Sequence, residues 1–330
     1  SAIFAPVQNL GLIIIDEEHE NSYKQSSYPY YHARETAVKK AKIYGIPLIL
    51  GSATPSIKSY FLADKGYYKY ISLPERINKR EMPPVELIDM RDEMKEGNLS
   101  IFSFKLKKAI KDALARDEQI LLFLNRRGYS SFVLCRECGH VIRCKNCDIS
   151  LTYHDKEKSL NCHYCDYRSE VPKFCPECGS KYIKKFGIGT EKLEEEVKKY
   201  FSEAVVDRMD VDTTSTKGAH RKILKRLENK ETDILIGTQM ISKGHDYPDI
   251  SVVGVITADT VLNLPDFRSA ERTFQLITQV AGRTGRGDKS GKVIVQTYTP
   301  GHYSLQAARE HDYEKFYEKE LRLRRQLDYP

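Results

Sequence analysis

The sequence predicts an α/β protein, a parallel sheet covered by helices, with one small cysteine-rich metal-binding module set into it. Three observations predict this. Short apolar runs alternate with stretches of helical period up to about residue 124, the same alternation resumes after residue 187, and all eight cysteines fall between Cys135 and Cys178. The 330 residues are 40% hydrophobic and 30% charged, a composition that excludes disordered and collagen-like chains.

Taken in order, residues 10–15 read as a buried strand, 31–44 as a helix, 47–50 as a strand running into a helix near Pro55, and 119–124 as another buried strand. Such βα alternation builds parallel sheet with helices on its faces. Beyond the cysteines, 191–201 and 218–227 read as helices, and 204–209, 233–236 and 251–258 as strands. Helix 268–280, strand 292–296 and a charged helix over 302–327 complete the chain. The cysteines therefore interrupt one α/β domain. Pro83-Pro84 and the charged segment 90–96 mark 83–100 as the expected interdomain crossing. The organisation expected is 1–90, then 91–133 with 187–330, and an inserted module at 134–186. No apolar run, Leu12 to Ile15 and Ile120 to Leu124 included, approaches the ~18–20 residues of a membrane span. With no signal-peptide pattern, a cytoplasmic protein without a membrane partner is expected.

The cysteines form four C-x-x-C pairs: Cys135/Cys138, Cys144/Cys147, Cys162/Cys165 and Cys175/Cys178. Two thiolates so spaced make one edge of a tetrahedral site, so eight ligands make two structural zinc centres with no open position for catalysis. Cys138 and Cys178 are each followed by Gly, Cys147 and Cys165 each by Asp. Pairing like with like nests the sites: Cys135, Cys138, Cys175 and Cys178 in one, Cys144, Cys147, Cys162 and Cys165 in the other. A sequential pairing is the competing arrangement. Lys plus Arg exceed Asp plus Glu by 53 to 46, a net +7. Two all-thiolate zinc sites lower this to +3, and the module 134–186, with ten Lys/Arg and seven Asp/Glu, to −1. Global charge is thus weak support for a polyanionic partner.

Ile13-Ile14-Ile15 leads directly into Asp16-Glu17-Glu18-His19, which sets carboxylates at the carboxyl end of a buried strand, where open α/β sheets bind ligands. There Asp16 suits Mg²⁺ and Glu17 an attacking water in phosphoryl transfer; a solvated acidic turn is the plain alternative. Gly51-Ser52-Ala53-Thr54-Pro55 follows the next strand, with Thr54 suited to a helix cap and Pro55 to the first helical position. Gln279, Arg283 and Arg286 fall at i, i+4 and i+7 of a predicted helical face, and two arginines there suit a γ-phosphate.

Together DEEH, GSAT and QVAGRTGR resemble motifs II, III and VI of superfamily 2 helicases, and residues 236–246, IGTQMISKGHD, resemble motif V. With four C-x-x-C pairs after residues 121–129, LLFLNRRGY, the resemblance narrows to PriA-type replication-restart DNA helicases and covers nearly the whole chain. It implies RecA-like helicase lobes, the first partial, with a zinc-ribbon-like two-zinc module inserted in the second. It implies an ATP-dependent 3′→5′ DNA helicase, using ATP and Mg²⁺, that recognises stalled forks and D-loops and initiates primosome assembly. Forked and single-stranded DNA, single-stranded DNA-binding protein and other primosome proteins are the implied partners. The resemblance places Ser52, Thr54, Gly244 and Asp246 at the nucleotide and Thr238 on a nucleic-acid phosphate. It also brings Arg283 and Arg286 against the γ-phosphate, opposite Asp16 and Glu17.

Residues 21–34 hold Tyr23, Lys24, Tyr28, Tyr30, Tyr31 and Arg34. Tyrosine faces stack on unpaired bases, and the cations reach phosphates; packing by the same tyrosines is the alternative. Arg126 and Arg127, after a buried strand, are candidate phosphate contacts. No G-x-x-x-x-G-K-[ST] occurs, and Gly291-Lys292 is followed by Val293. A helicase needs that phosphate cradle, so the sequence is expected to be a fragment that hydrolyses no ATP alone while its intact parent does. A non-enzymatic zinc-ribbon adaptor on a helicase-like scaffold is the alternative function.

Overall fold

The apolar runs flanked by helical periods fold as a computed structural model describes them, over residues 2–73, 82–124, 132–187, 189–210, 213–214, 218–238, 249–284 and 291–329. The chain divides into two units, 1–75 and 76–330.

In the first unit β1 (Ile13–Ile15) and α1 (Ala33–Tyr44) are followed by β2 (Leu48–Leu50), which pairs in parallel with β1, and by α2 (Ile57–Asp64). Ala37 and Ala41 of α1 pack on Ile13 and Ile15 because small residues let the helix approach the strands. Helix α1 stops at Gly45, whose φ of +65° supplies a left-handed cap. The expected cap of α2 is corrected. Ser56, not Thr54, accepts the hydrogen bond from the Ser59 amide, and Thr54 is fully buried.

In the second unit six strands form one parallel sheet. In chain order its first elements are β3 (Val85–Asp89), α3 (Met90–Lys95), α4 (Phe104–Leu114) and β4 (Gln119–Phe123). Beyond the cysteines come α5 (Thr190–Tyr200), β10 (Val206–Met209), α6 (Ala219–Glu228), β11 (Ile234–Gly237), β12 (Ile250–Val255), α7 (Asp259–Leu262), α8 (Ser269–Ala281) and β13 (Lys292–Thr297). The sheet order is β10-β11-β4-β12-β13-β3, with Ile120 opposite Ile234 and Val253 opposite Leu121. Every residue of β4, β11 and β12 is buried, as strands covered on both faces must be. One core joins Leu106, Ile110, Leu193 and Val197 of α4 and α5 to Ile120, Leu122, Ile234 and Ile236.

Three expectations change here. Residues 85–89 are the edge strand of this second sheet, beside β13, so the division at residue 90 moves back to between 75 and 76. Asp89 caps α3 through its carboxylate, which is why the charged run after it is helical and not a crossing. The charged C-terminal stretch is two helices, α9 (Tyr303–Glu310) and α10 (Tyr313–Gln326), because His311 between them takes φ +55°.

Between β4 and α5 lies the cysteine module. Its outer strands β5 (Phe132–Cys135) and β9 (Ile183–Phe186) pair antiparallel, and β6 (Thr152–His154), β7 (Ser159–Asn161) and β8 (Arg168–Glu170) form a separate three-stranded sheet.

Candidate functional site

Asp16 and Glu17 sit in the turn that leaves β1, Asp16 exposed and Glu17 partly so. The Glu17 amide donates to Asp16 Oδ1 at 2.9 Å, and Glu17 takes a left-handed φ of +46°. The Tyr23 hydroxyl donates to the Asp16 carbonyl at 2.6 Å. Burial, reinforced by Asp16, Glu20 and Glu17, raises the Tyr23 phenol above its ordinary value and keeps it a donor.

The next two residues of the turn tie the unit together. Glu18 is buried and receives the guanidinium of Arg34, the Ser56 amide at 2.6 Å and the Ser59 hydroxyl at 2.9 Å. His19 Nδ1 lies 2.7 Å from Ser52 Oγ, which also accepts from the Thr54 amide at 3.0 Å. The Glu18 amide donates to the Gly51 carbonyl at 3.0 Å. The two motifs therefore form one hydrogen-bonded platform at the carboxyl ends of β1 and β2. Sequence reasoning missed the part played by Glu18 and His19, although both letters stand in the acidic motif.

This geometry corrects two assignments. Arg34 is buried and ion-paired with Glu18, so it is not presented to a phosphate. Thr54 is fully buried and does not face a nucleotide. Ser52 is engaged by His19. By contrast the segment after the acidic turn folds back on itself, with Lys24 bridged to His32 and the Gln25 amide donating to the Tyr31 carbonyl at 2.8 Å. At its tip Tyr28 and Tyr30 are 87% and 75% exposed, while Tyr31 packs edge-on against Phe4. Lys24, at the base of this segment, is exposed.

In the second unit Thr238 follows β11 and is buried, which does not present it to a phosphate as expected. Gln279 lies in the last turn of α8, partly exposed. The helix ends at Ala281, and Arg283 follows in a turn held by the Thr284 hydroxyl, which donates to the Ile250 carbonyl at 2.7 Å. The single helical face expected through residue 286 is therefore interrupted at Gly282, consistent with the low helix propensity of glycine. Arg126, Arg127, Gly244, Asp246 and Arg286 lie outside the described residues.

The eight cysteines form two groups: Cys135, Cys138, Cys175 and Cys178, and Cys144, Cys147, Cys162 and Cys165. This is the nested arrangement. Sulfur separations are 3.6 Å for Cys135–Cys178 and Cys138–Cys175, and 3.5 Å for Cys144–Cys165. Four thiolates at about 2.3 Å from a tetrahedral zinc stand about 3.8 Å apart, so each group fits one zinc ion. A disulfide would need about 2 Å. The thiols resist joint ionisation without a cation. The Cys165 sulfur raises Cys147 to about 12, while the Tyr167 amide draws Cys165 down to about 6.

The module is tied to the sheet through the first group. Arg136, next to Cys135, donates from Nε to the Tyr298 hydroxyl at 3.0 Å and from its terminal nitrogens to the Leu99 and Ser100 carbonyls at 3.1 Å. Gly139 takes φ +80° against this turn, and a Cβ there would stand 2.7 Å from the Tyr298 carbonyl. The second group reaches the segment before α8, where Ser150 Oγ donates to the Asn263 carbonyl at 2.6 Å.

Comparisons with known proteins converge. Residues 144–169 match the PriA DNA helicase Cys-rich region domain, and residues 182–288 match the helicase conserved C-terminal domain. Over all of its length the chain is 56% identical to the replication restart protein PriA of Bacillus subtilis and 50% identical to that of Synechocystis, spanning 41% of each. To the replication restart protein PriA of Rickettsia felis it is 42% identical, spanning 51% of that relative. From its two cysteine groups through its helicase sheet, the chain belongs to the PriA family of replication restart proteins.

Proposed function

We propose that these residues are part of an ATP-driven 3′→5′ DNA helicase that recognises stalled or abandoned forks and D-loops and initiates primosome assembly. The observation that carries the reading is the placement of Asp16 and Glu17 at the carboxyl end of β1, on a platform shared with the turn after β2. In such a site Asp16 holds Mg²⁺ and Glu17 orients the attacking water. Arg283 and Arg286 meet the γ-phosphate, Gln279 supports them, and Gly244, Asp246 and Ser52 border the nucleotide. Bound ATP supplies the phosphoryl group whose loss drives the cycle.

Tyr28 and Tyr30 stack on unpaired bases, and Lys24 meets the adjoining phosphate. Their loop begins at Tyr23, which holds the Asp16 carbonyl, so strand occupancy and the acidic turn are joined by one hydrogen bond. The two Cys₄ groups hold structural zinc and keep the module folded on the sheet. Single-stranded DNA-binding protein and other primosome proteins are the proposed partners, and action on the chromosome places the protein at the nucleoid. Among the described residues no helix is long and apolar enough to cross a membrane.

The test uses the full-length protein. Glu17→Gln is expected to abolish DNA-stimulated ATP hydrolysis and fork unwinding while leaving fork binding and zinc content unchanged. Retained hydrolysis would overturn the reading. The 330 residues alone are expected to hydrolyse no ATP, because they contain no G-x-x-x-x-G-K-[ST] cradle.

A further inference from the structure

Helix α6 carries four cations, Arg221, Lys222, Lys225 and Arg226, against one acid, the exposed Glu228. Its apolar side, Leu224 and Leu227, is buried, and Arg221, Lys222 and Lys225 are exposed on the opposite side. None of the three pairs with an acid among the described residues. Nearby cations do: Arg226 reaches Asp207 at 2.8 Å, and Lys230 reaches Asp249 at 3.0 Å. On α5, four glutamates interleave with the lysines, and Lys198 pairs with Glu194.

The placement also works against the helix. The first turn of α6 has no acidic residue and no side-chain cap, and Arg221 and Lys222 stand there, where the helix dipole disfavours positive charge. Stability alone would favour acids at these positions. A sequence that accepts this local conflict keeps the charge for another purpose.

We propose that the exposed face of α6 docks the phosphate backbone of double-stranded nucleic acid. The inference rests on the helicase reading above and adds a duplex contact to it. An acidic protein surface fits less well, because the face offers no aromatic or apolar anchor and lysine is depleted from protein interfaces. A single strand also fits less well, because sequence-tolerant single-strand sites stack bases on aromatic rings, and the exposed face of α6 has none. Three lysine or arginine contacts to phosphate bind without reading sequence and respond steeply to salt.

The experiment compares full-length wild type with Arg221→Gln/Lys222→Gln/Lys225→Gln, and with the charge-conserving Arg221→Lys/Lys222→Arg/Lys225→Arg. Affinity is measured against salt for a fork with a long duplex arm and for a single strand. Loss of three phosphate contacts is expected to reduce the fork's log–log salt slope by about 2.7. Fork affinity at low salt falls more than tenfold, single-strand affinity holds within twofold, and the charge-conserving variant behaves as wild type. An unchanged fork slope overturns the proposal and leaves the face to an acidic protein partner. Equal losses on fork and single strand, or a loss shared by the charge-conserving variant, also overturn it. Failure of wild type to bind forks at all would instead overturn the helicase reading.

Discussion

His19 Nδ1 stands 2.7 Å from Ser52 Oγ, so the turn after β1 and the turn after β2 share a side-chain hydrogen bond across 33 residues of sequence. Ser52→Ala removes it. One such bond is worth about 0.5–1.5 kcal/mol. Steady-state kinetics of the full-length protein should therefore show DNA-stimulated kcat reduced up to about tenfold with KM for ATP within twofold. A variant that turns over like wild type would show that the bond only shapes the turn.

Glu18 and Arg34 form a buried pair completed by Ser56 and Ser59. Removing one partner strands the other charge, at a cost of about 3–5 kcal/mol, whereas replacing both by apolar residues is nearly neutral. Denaturant melts should place Glu18→Gln and Arg34→Met well below wild type, and Glu18→Leu/Arg34→Met above either single variant. A double variant no better than the singles would reject a simple pair.

The nested cysteine groups predict unequal metal losses. Cys135→Ser/Cys144→Ser disables both sites and should release both zinc ions, whereas Cys135→Ser/Cys178→Ser disables one and should retain one. Sequential pairing predicts the reverse. Metal content measured by atomic emission on the purified variants distinguishes them.

His302 caps α9 by accepting from the Ser304 amide at 3.3 Å, and burial, followed by Arg143, lowers its pKa to about 4. Protonation is therefore favoured in the unfolded chain, and stability should rise with pH between about 4 and 6.5. The span is worth about 3 kcal/mol. His302→Asn, which keeps a cap acceptor, should flatten that slope in pH-dependent melts. An unchanged slope would assign it to other groups.

The parts of the fold that were legible are those where local chemistry and burial agree. Strands β4, β11 and β12 are apolar throughout because both faces are covered, and a run of letters is enough to mark them. The region 83–114 was not legible. Among the described residues Val85–Asp89 is an edge strand with one strand neighbour, and Pro83-Pro84 beside it reads as a break. The cysteine grouping was readable, but not fully for the reason given. Gly139, Asp148, Asp166 and Gly179 all take left-handed φ, so the Gly/Asp distinction does not separate the knuckles by conformation. Gly139 is distinguished instead by the Tyr298 carbonyl, a neighbour 159 positions away. Arg34 was misread for a similar reason, since nothing in the letters shows a cation turned inward to Glu18.

Strands β5 and β9 pair with Phe132 opposite Phe186, so the module leaves and rejoins the sheet domain at points one strand spacing apart, about 5 Å. Geometrically, then, the insertion is a detour that a short turn could bypass, and its internal length is free to drift without re-registering the six strands. What a bypass would expose is the opposite face of the bargain: the Leu99 and Ser100 carbonyls and the Tyr298 hydroxyl, now met by Arg136, would lose their donor and turn to water. The module is thus removable by topology and retained by chemistry.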